Sequence, residues 1–262
     1  MSIKTWFVAK NITCLKNGYK VVRNLNLNLN YGENVILLGP NGSGKSSIVE
    51  LINRNIYPVI SQETFLKIFN EELINIWELR KKISTVNNDI RTRINPNLKV
   101  FDLIISGLYG KYCKIYSINE RDIFLAENLM IKMNIFDLSH KYFSHLSQGK
   151  QQIVLIARAL IKKPEILILD EPIAHLDLKS KFYLVDQINE LSNINTNILC
   201  ITHDISIISK IFNRVLLLKD RTIIEDGTQN EIINSQNISN LFDIDINVDN
   251  YKGSWNIYRK IK

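Results

Sequence analysis

The eight residues Gly39-Pro40-Asn41-Gly42-Ser43-Gly44-Lys45-Ser46 fit the pattern G-x-x-x-x-G-K-[ST], which suits holding a chain of phosphates. Glycines let backbone N–H groups turn inward toward phosphate oxygens, and Ser47 carries the run into the next element. Lys45 brings a point charge to the β- and γ-phosphates, and the Ser46 hydroxyl is a ligand for Mg²⁺. A second group suits hydrolysis. Ile166-Leu167-Ile168-Leu169 runs straight into Asp170-Glu171, and adjacent acids ending an apolar strand are costly unless hydrated or employed. In nucleotide hydrolysis Asp170 would hold Mg²⁺, directly or through water, and Glu171 would orient and polarise the attacking water.

These groups need a scaffold. Val35–Leu38 is a short apolar run ending in the glycine loop, and Ile48, Leu51 and Ile52 follow at helical spacing. Strand, loop and helix in that order aim a helix N-terminus at an anion. Further continuous apolar runs at Ile166–Leu169, Ile198–Ile201 and Val215–Leu218 read as strands buried on both faces of a parallel sheet. Helical patterns lie between them, at Gln151–Ile161 and at Lys179–Leu191, the latter with Phe182, Val185, Ile188 and Leu191 in register. Lys4–Asn11 and Val21–Asn30 instead alternate at period two, as half-buried antiparallel strands do. Between Asp89 and Leu146 the pattern is mostly helical, clearest at Asp122–Met133. Asp226-Gly227-Thr228 reads as a turn and Glu231–Phe242 as a helix, while Trp255 and Tyr258 pack a terminal strand or meet a partner.

Composition narrows the setting. A chain of 262 residues, 45% hydrophobic and 23% charged, can bury the core of an α/β domain. No apolar run reaches the roughly 20 residues that cross a bilayer. Met1-Ser2-Ile3-Lys4-Thr5-Trp6 begins a mixed strand and lacks a signal-peptide core, so folding in the cytoplasm is expected. Cys14, Cys113 and Cys200 form neither a metal spacing nor a disulfide framework, and Cys200 reads as a buried small hydrophobe. The net charge of +7 comes with dispersed lysines and no arginine stripe among aromatics, so no specific nucleic-acid partner is expected.

The order of motifs resembles the nucleotide-binding subunit of ATP-binding-cassette (ABC) transporters over essentially the whole chain. Leu146-Ser147-Gln148-Gly149-Lys150 resembles the family's signature segment and precedes the acidic strand; Ser147 can cap the following helix. Ala174-His175-Leu176-Asp177 resembles the loop that reaches across the dimer, and Thr202-His203-Asp204 the switch histidine. The resemblance implies a P-loop NTPase core with a mostly parallel sheet, an N-terminal antiparallel β subdomain and a helical insertion subdomain. The core and β subdomain would take residues 1–88 and 147–262 of a single 262-residue domain, and the helical subdomain about 89–146. It further implies ATP and Mg²⁺ as ligands, and a homodimer, or a heterodimer with another ABC ATPase subunit, that sandwiches two ATP molecules. Ser147, Gln148 and Gly149 of one subunit would meet the γ-phosphate bound on the other; His203 would touch the same phosphate, and Asp177 would lie in the dimer loop. Separate transmembrane permease subunits would receive the power, placing the chain on the cytoplasmic face of the inner (cell) membrane. A groove beside Asn88 would receive their cytoplasmic helix, with Phe101, Leu108 and Tyr109 either contacts or insertion core. A cytoplasmic ATPase serving soluble partners, for example in iron–sulfur cluster assembly, is the alternative.

Three positions depart from the family pattern. The signature more often reads Leu-Ser-Gly-Gly-Gln, so Gln148 and Lys150 change its surroundings. Asn88 stands where the family has a glutamine that senses Mg²⁺ and couples to the permease; it keeps the amide and loses one methylene of reach. The aromatic that stacks on adenine in many relatives falls at Leu15 or Lys16, with Tyr19 either its substitute or a surface hairpin residue. ATP is the expected base form, and GTP stays open.

Overall fold

The structure is a computed structural model that describes residues 4–260; the expectation for Met1, Ser2 and Ile3 lies outside the described residues. Its residues fall into two compact units, one reaching to Arg80 and resuming at Asn197, the other spanning Lys81–Thr196.

The first unit opens with β1 (Thr5–Lys16) and β2 (Tyr19–Asn30), an antiparallel hairpin longer than the alternating runs alone mark out. The two residues between them, Asn17 and Gly18, have φ of 52° and 81°, the doubly left-handed turn that matches the twist of paired strands. Alternation sets the faces of β2: Leu25, Leu27 and Leu29 are buried and Asn26 and Asn28 exposed. β3 (Val35–Leu38), buried at every residue, leads to α1 (Lys45–Ile52). β4 (Phe65–Ile68) closes the antiparallel sheet in the order β2-β1-β4.

After α2 (Ile76–Lys82), the second unit has β5 (Ile83–Val86), the short helices α3 (Ile90–Arg93) and α4 (Val100–Ser106), and α5 (Glu120–Lys132). It ends with α6 (Gln148–Leu160), β6 (Ile166–Asp170) and α7 (Leu178–Glu190). β5 and β6 pair in parallel, Val86 opposite Leu169. From Gln152 to Leu160 α6 is buried on all sides, which makes it the unit's central helix. On α7 the buried face carries Ser180, Leu184 and Ile188, and Phe182 is exposed, contrary to its expected place on the packed face. Ile188 and Leu191 of the same repeat are buried as expected.

The chain returns to the first unit with β7 (Asn197–Thr202), β8 (Arg214–Lys219) and β9 (Thr222–Gly227). β7 and β8 flank β3 in parallel, and β9 pairs antiparallel with β8. The expected helix at Glu231–Phe242 is two helices, α8 (Gln229–Ile232) and α9 (Ser235–Phe242), because Thr228 with Glu231 caps one start and Asn234 the next. β10 (Ile246–Tyr251) and β11 (Ser254–Arg259) form a last hairpin. Trp255 packs as expected and donates to Gln229, whereas Tyr258 is exposed. Among the described residues no helix is long and apolar enough to cross a membrane.

β3 is the strand that positions the glycine loop. Ile36, fully buried, sits between Cys200 and Val215 of its two neighbours. Ile36→Ala is expected to lower stability by about 2–5 kcal/mol, read as a lower denaturant midpoint in equilibrium unfolding.

Candidate functional site

The phosphate loop begins where β3 ends. Gly39 N–H donates to Thr202 O at 3.2 Å, continuing the ladder that pairs Leu38 with Thr202, and so brings exposed His203 beside the loop's first residue. The loop then turns on itself, Ser43 N–H donating to Pro40 O at 3.3 Å. Gly44 ends it with φ 103° and ψ 9°, and a Cβ there would stand 2.8 Å from Val21 O on β2. A side chain at residue 44 would meet both a left-handed backbone and a carbonyl, so glycine is required twice over. The turn aims the first amides of α1 outward, since Gly44 caps the helix without a side chain to occupy them. Lys45 is buried, its ammonium folded back on Gly39 O at 2.8 Å and Pro40 O at 3.0 Å. Two carbonyls thereby hold the charge against the loop instead of letting the stem wander in solvent. Asn41, Gly42 and Ser46 are exposed and Ser47 half-buried.

The second unit carries the acids and the signature. Asp170 is the last residue of β6, and Asn88 lies two residues beyond Val86, which pairs with Leu169; both therefore reach the same edge of this strand pair. Glu171 takes a left-handed φ of 52°, uncommon for a glutamate, and Ala174 N–H donates to its carbonyl at 3.2 Å. Strain of this kind persists where surrounding structure fixes it, and it turns the Glu171 side chain off the line of the strand.

Ser147 caps α6 as its position in the sequence suggests, but loosely: its hydroxyl accepts from Lys150 N–H at 3.5 Å. Gly149 and Asp177 are brought together by a residue outside every motif. A Cβ on Gly149 would stand 2.9 Å from the Ser180 Cβ, and Ser180 gives both its N–H (3.0 Å) and its hydroxyl (2.8 Å) to the Asp177 carboxylate. Those bonds, the backbone one foremost, hold the Asp177 carboxyl below the usual range. Acid three residues before serine is a helix-start pattern, and that was the signal that could have found Ser180. Asn88 O accepts from Arg91 N–H at 3.2 Å, and Arg91 in turn donates to fully buried Gln152 of α6 at 2.7 Å. No local sequence pattern announces that link.

At the expected adenine position Leu15 is exposed and Lys16 is ion-paired with Glu50 at 2.8 Å. Tyr19, opposite Lys16, is exposed at the hairpin tip. Among the described residues no three His, Cys, Asp or Glu side chains gather to hold a metal. The Ser46 hydroxyl and the Asp170 carboxylate are each a hard oxygen donor of the kind Mg²⁺ takes.

The profile of the ABC transporter family matches residues 22–174. The ABC transporter ATP-binding protein YmeB of Lactococcus lactis is 32% identical over 247 residues, 93% of this chain and 94% of its own. CbiO1 of Clostridium perfringens, part of the CbiONQ transporter complex, superposes with a TM-score of 0.77 at 24% identity, covering 90% of this chain and 94% of its own. A dimeric ATP-binding cassette in a post-hydrolysis state with ADP and Pi superposes with a TM-score of 0.67 at 28% identity, covering 85% of this chain and 98% of its own.

The closeness of Gly149 to Ser180 yields a test. Gly149→Ala forces α6 and α7 apart at their starts and is expected to lower stability by about 1–3 kcal/mol. Combined with Ser180→Gly, which clears part of the space but gives up the hydroxyl bond to Asp177, the total loss in thermal unfolding should be smaller than the sum of the two single losses.

Proposed function

Because the chain belongs to the ABC transporter family, we propose that it binds and hydrolyses ATP to power solute transport by separate transmembrane subunits. The observation that carries this reading is the loop at Gly39–Ser46, with Gly44 left-handed at the start of α1 and the Lys45 ammonium drawn in beside it. Lys45, Ser46, Ser47 and the loop amides hold the β- and γ-phosphates; Ser46 and Asp170 would hold Mg²⁺, which would supply charge neutralisation there. Glu171 orients a water and takes its proton as the oxygen joins the γ-phosphorus. The bond to the β-phosphate oxygen breaks, leaving ADP and inorganic phosphate. His203 holds the γ-phosphate in that geometry.

The working form is a dimer of two such cassettes, with this chain or another ABC ATPase subunit as the second copy. Ser147, Gln148 and Gly149 at the start of α6 close over the ATP held by the opposite subunit, where free helix N–H groups favour an anion. Asp177 sits in the loop between the two sites. The helical insertion, about 89–146, receives the permease, and Asn88 links it to the nucleotide. The chain then works as a peripheral protein on the cytoplasmic face of the membrane.

Glu171→Gln is expected to bind Mg-ATP, to dimerise with it, and to lose roughly 10²–10⁴-fold in kcat, the usual contribution of a positioned base. Turnover at the parental rate removes Glu171 from this role. Purifying the tagged chain from gently solubilised cells should bring multi-span membrane proteins with it, identified by mass spectrometry. Recovery of soluble partners alone would favour the cytoplasmic alternative.

A further inference from the structure

The two-residue turn between β8 and β9 is Asp220-Arg221, with φ of 48° and 70°. A turn that is left-handed at both positions favours Asn-Gly or Asp-Gly, since only glycine takes the second position without strain. Arginine there is strained relative to glycine. The turn is also fixed to the phosphate loop. Arg221 N–H donates to Ser43 O at 2.9 Å, and Arg221 O accepts from Arg23 N–H of β2 at 2.9 Å. The Arg221 Cα and Cγ stand 3.5 and 3.6 Å from where a Cβ on Gly44 would be, so the side chain starts out across the last glycine of the loop.

The charges of this hairpin differ in their partners. Arg214 is held by Asp226 and Glu33, and Lys219 by Asp243. Among the described residues no carboxylate or carbonyl takes the Arg221 guanidinium. A half-buried cation without a counter-ion, in a strained backbone and leaning on a phosphate-binding loop, has the properties of a ligand contact.

We propose that Arg221 is an additional nucleotide-binding residue, whose guanidinium pairs with the α- or β-phosphate of the nucleotide on Gly39–Ser46. This rests on the phosphate-loop reading and adds to it a contact supplied by the β8–β9 turn. Two features follow from the geometry. The contact is electrostatic, and with the α- or β-phosphate as its partner it serves ADP as well as ATP.

Titration calorimetry with Mg-ADP separates the possibilities. Arg221→Gly suits the left-handed turn and should fold with an equal or higher thermal midpoint, yet bind ADP about 3–10-fold more weakly, as expected for loss of one charge-assisted contact. Arg221→Asn, which also accepts this backbone, should show the same loss. The gap from the parent should shrink as salt is raised from 50 to about 500 mM, since screening weakens a charge–charge contact. Parental ADP affinity in a folded Arg221→Gly overturns the proposal, and so does a loss that ignores salt, which would mark a distorted loop. If the parent itself binds no ADP, the phosphate-loop reading fails instead.

Discussion

The left-handed backbone at Gly44 is the constraint on which the first unit turns. It lets the chain pass from β3 into α1 within a few residues, and it places the glycine's bare Cα beneath Val21 O of β2. No other residue fits both conditions, so the antiparallel sheet and the phosphate loop fix each other's position. The β8–β9 turn completes the enclosure by bonding Ser43 on one side and Arg23 on the other. Lys45 closes it from within through the carbonyls of Gly39 and Pro40. The loop is thus a shape set by its neighbours before any phosphate arrives, which is what keeps the ordering cost of binding low.

The second unit has two helix starts side by side with opposite electrostatic provision. α7 is capped by a carboxylate, Asp177, which takes two bonds from Ser180 and sets a negative charge against the positive end of the helix dipole. α6 is capped by a neutral hydroxyl at 3.5 Å and has no acid in its first turn. Its amides are therefore far less committed. An anion would meet less negative charge at the start of α6 than at the start of α7, although the two starts touch through Gly149 and Ser180. The glycine permits that contact, and a shared serine then links the helix open to an anion with the helix already neutralised.

The buried strands and the phosphate loop were legible because each is written in adjacent residues. Val35–Leu38 is wholly apolar, as a strand covered on both faces must be, and glycine spacing carries the turn. What stayed hidden depended on partners far along the chain. Phe182 has the spacing of a core residue on α7, yet the face that packs is set by Ser180, Leu184 and Ile188, one of them polar. Arg91 and Arg221 belong to no local pattern, and each acquires its place from a contact with another element. The division of Glu231–Phe242 was readable in principle from Thr228 and Asn234, two capping residues close together.

The abundance of asparagine has a structural use that bears on Arg221. Asn11, Asn17, Asn24, Asn70 and Asn134 all take positive φ, where their short amides are tolerated better than most side chains. Glycine is scarce, at 10 of 262 residues, and at Gly44 and Gly149 a Cβ would strike a neighbour. Asparagine is thus a frequent occupant of left-handed positions in this chain, although Arg54, Lys163 and Lys252 take positive φ as well. The second residue of the β8–β9 turn would be least strained as glycine, yet it carries a long cation against the phosphate loop. Turn geometry explains the left-handed backbone there; it does not explain the guanidinium, and a negatively charged ligand on the loop does.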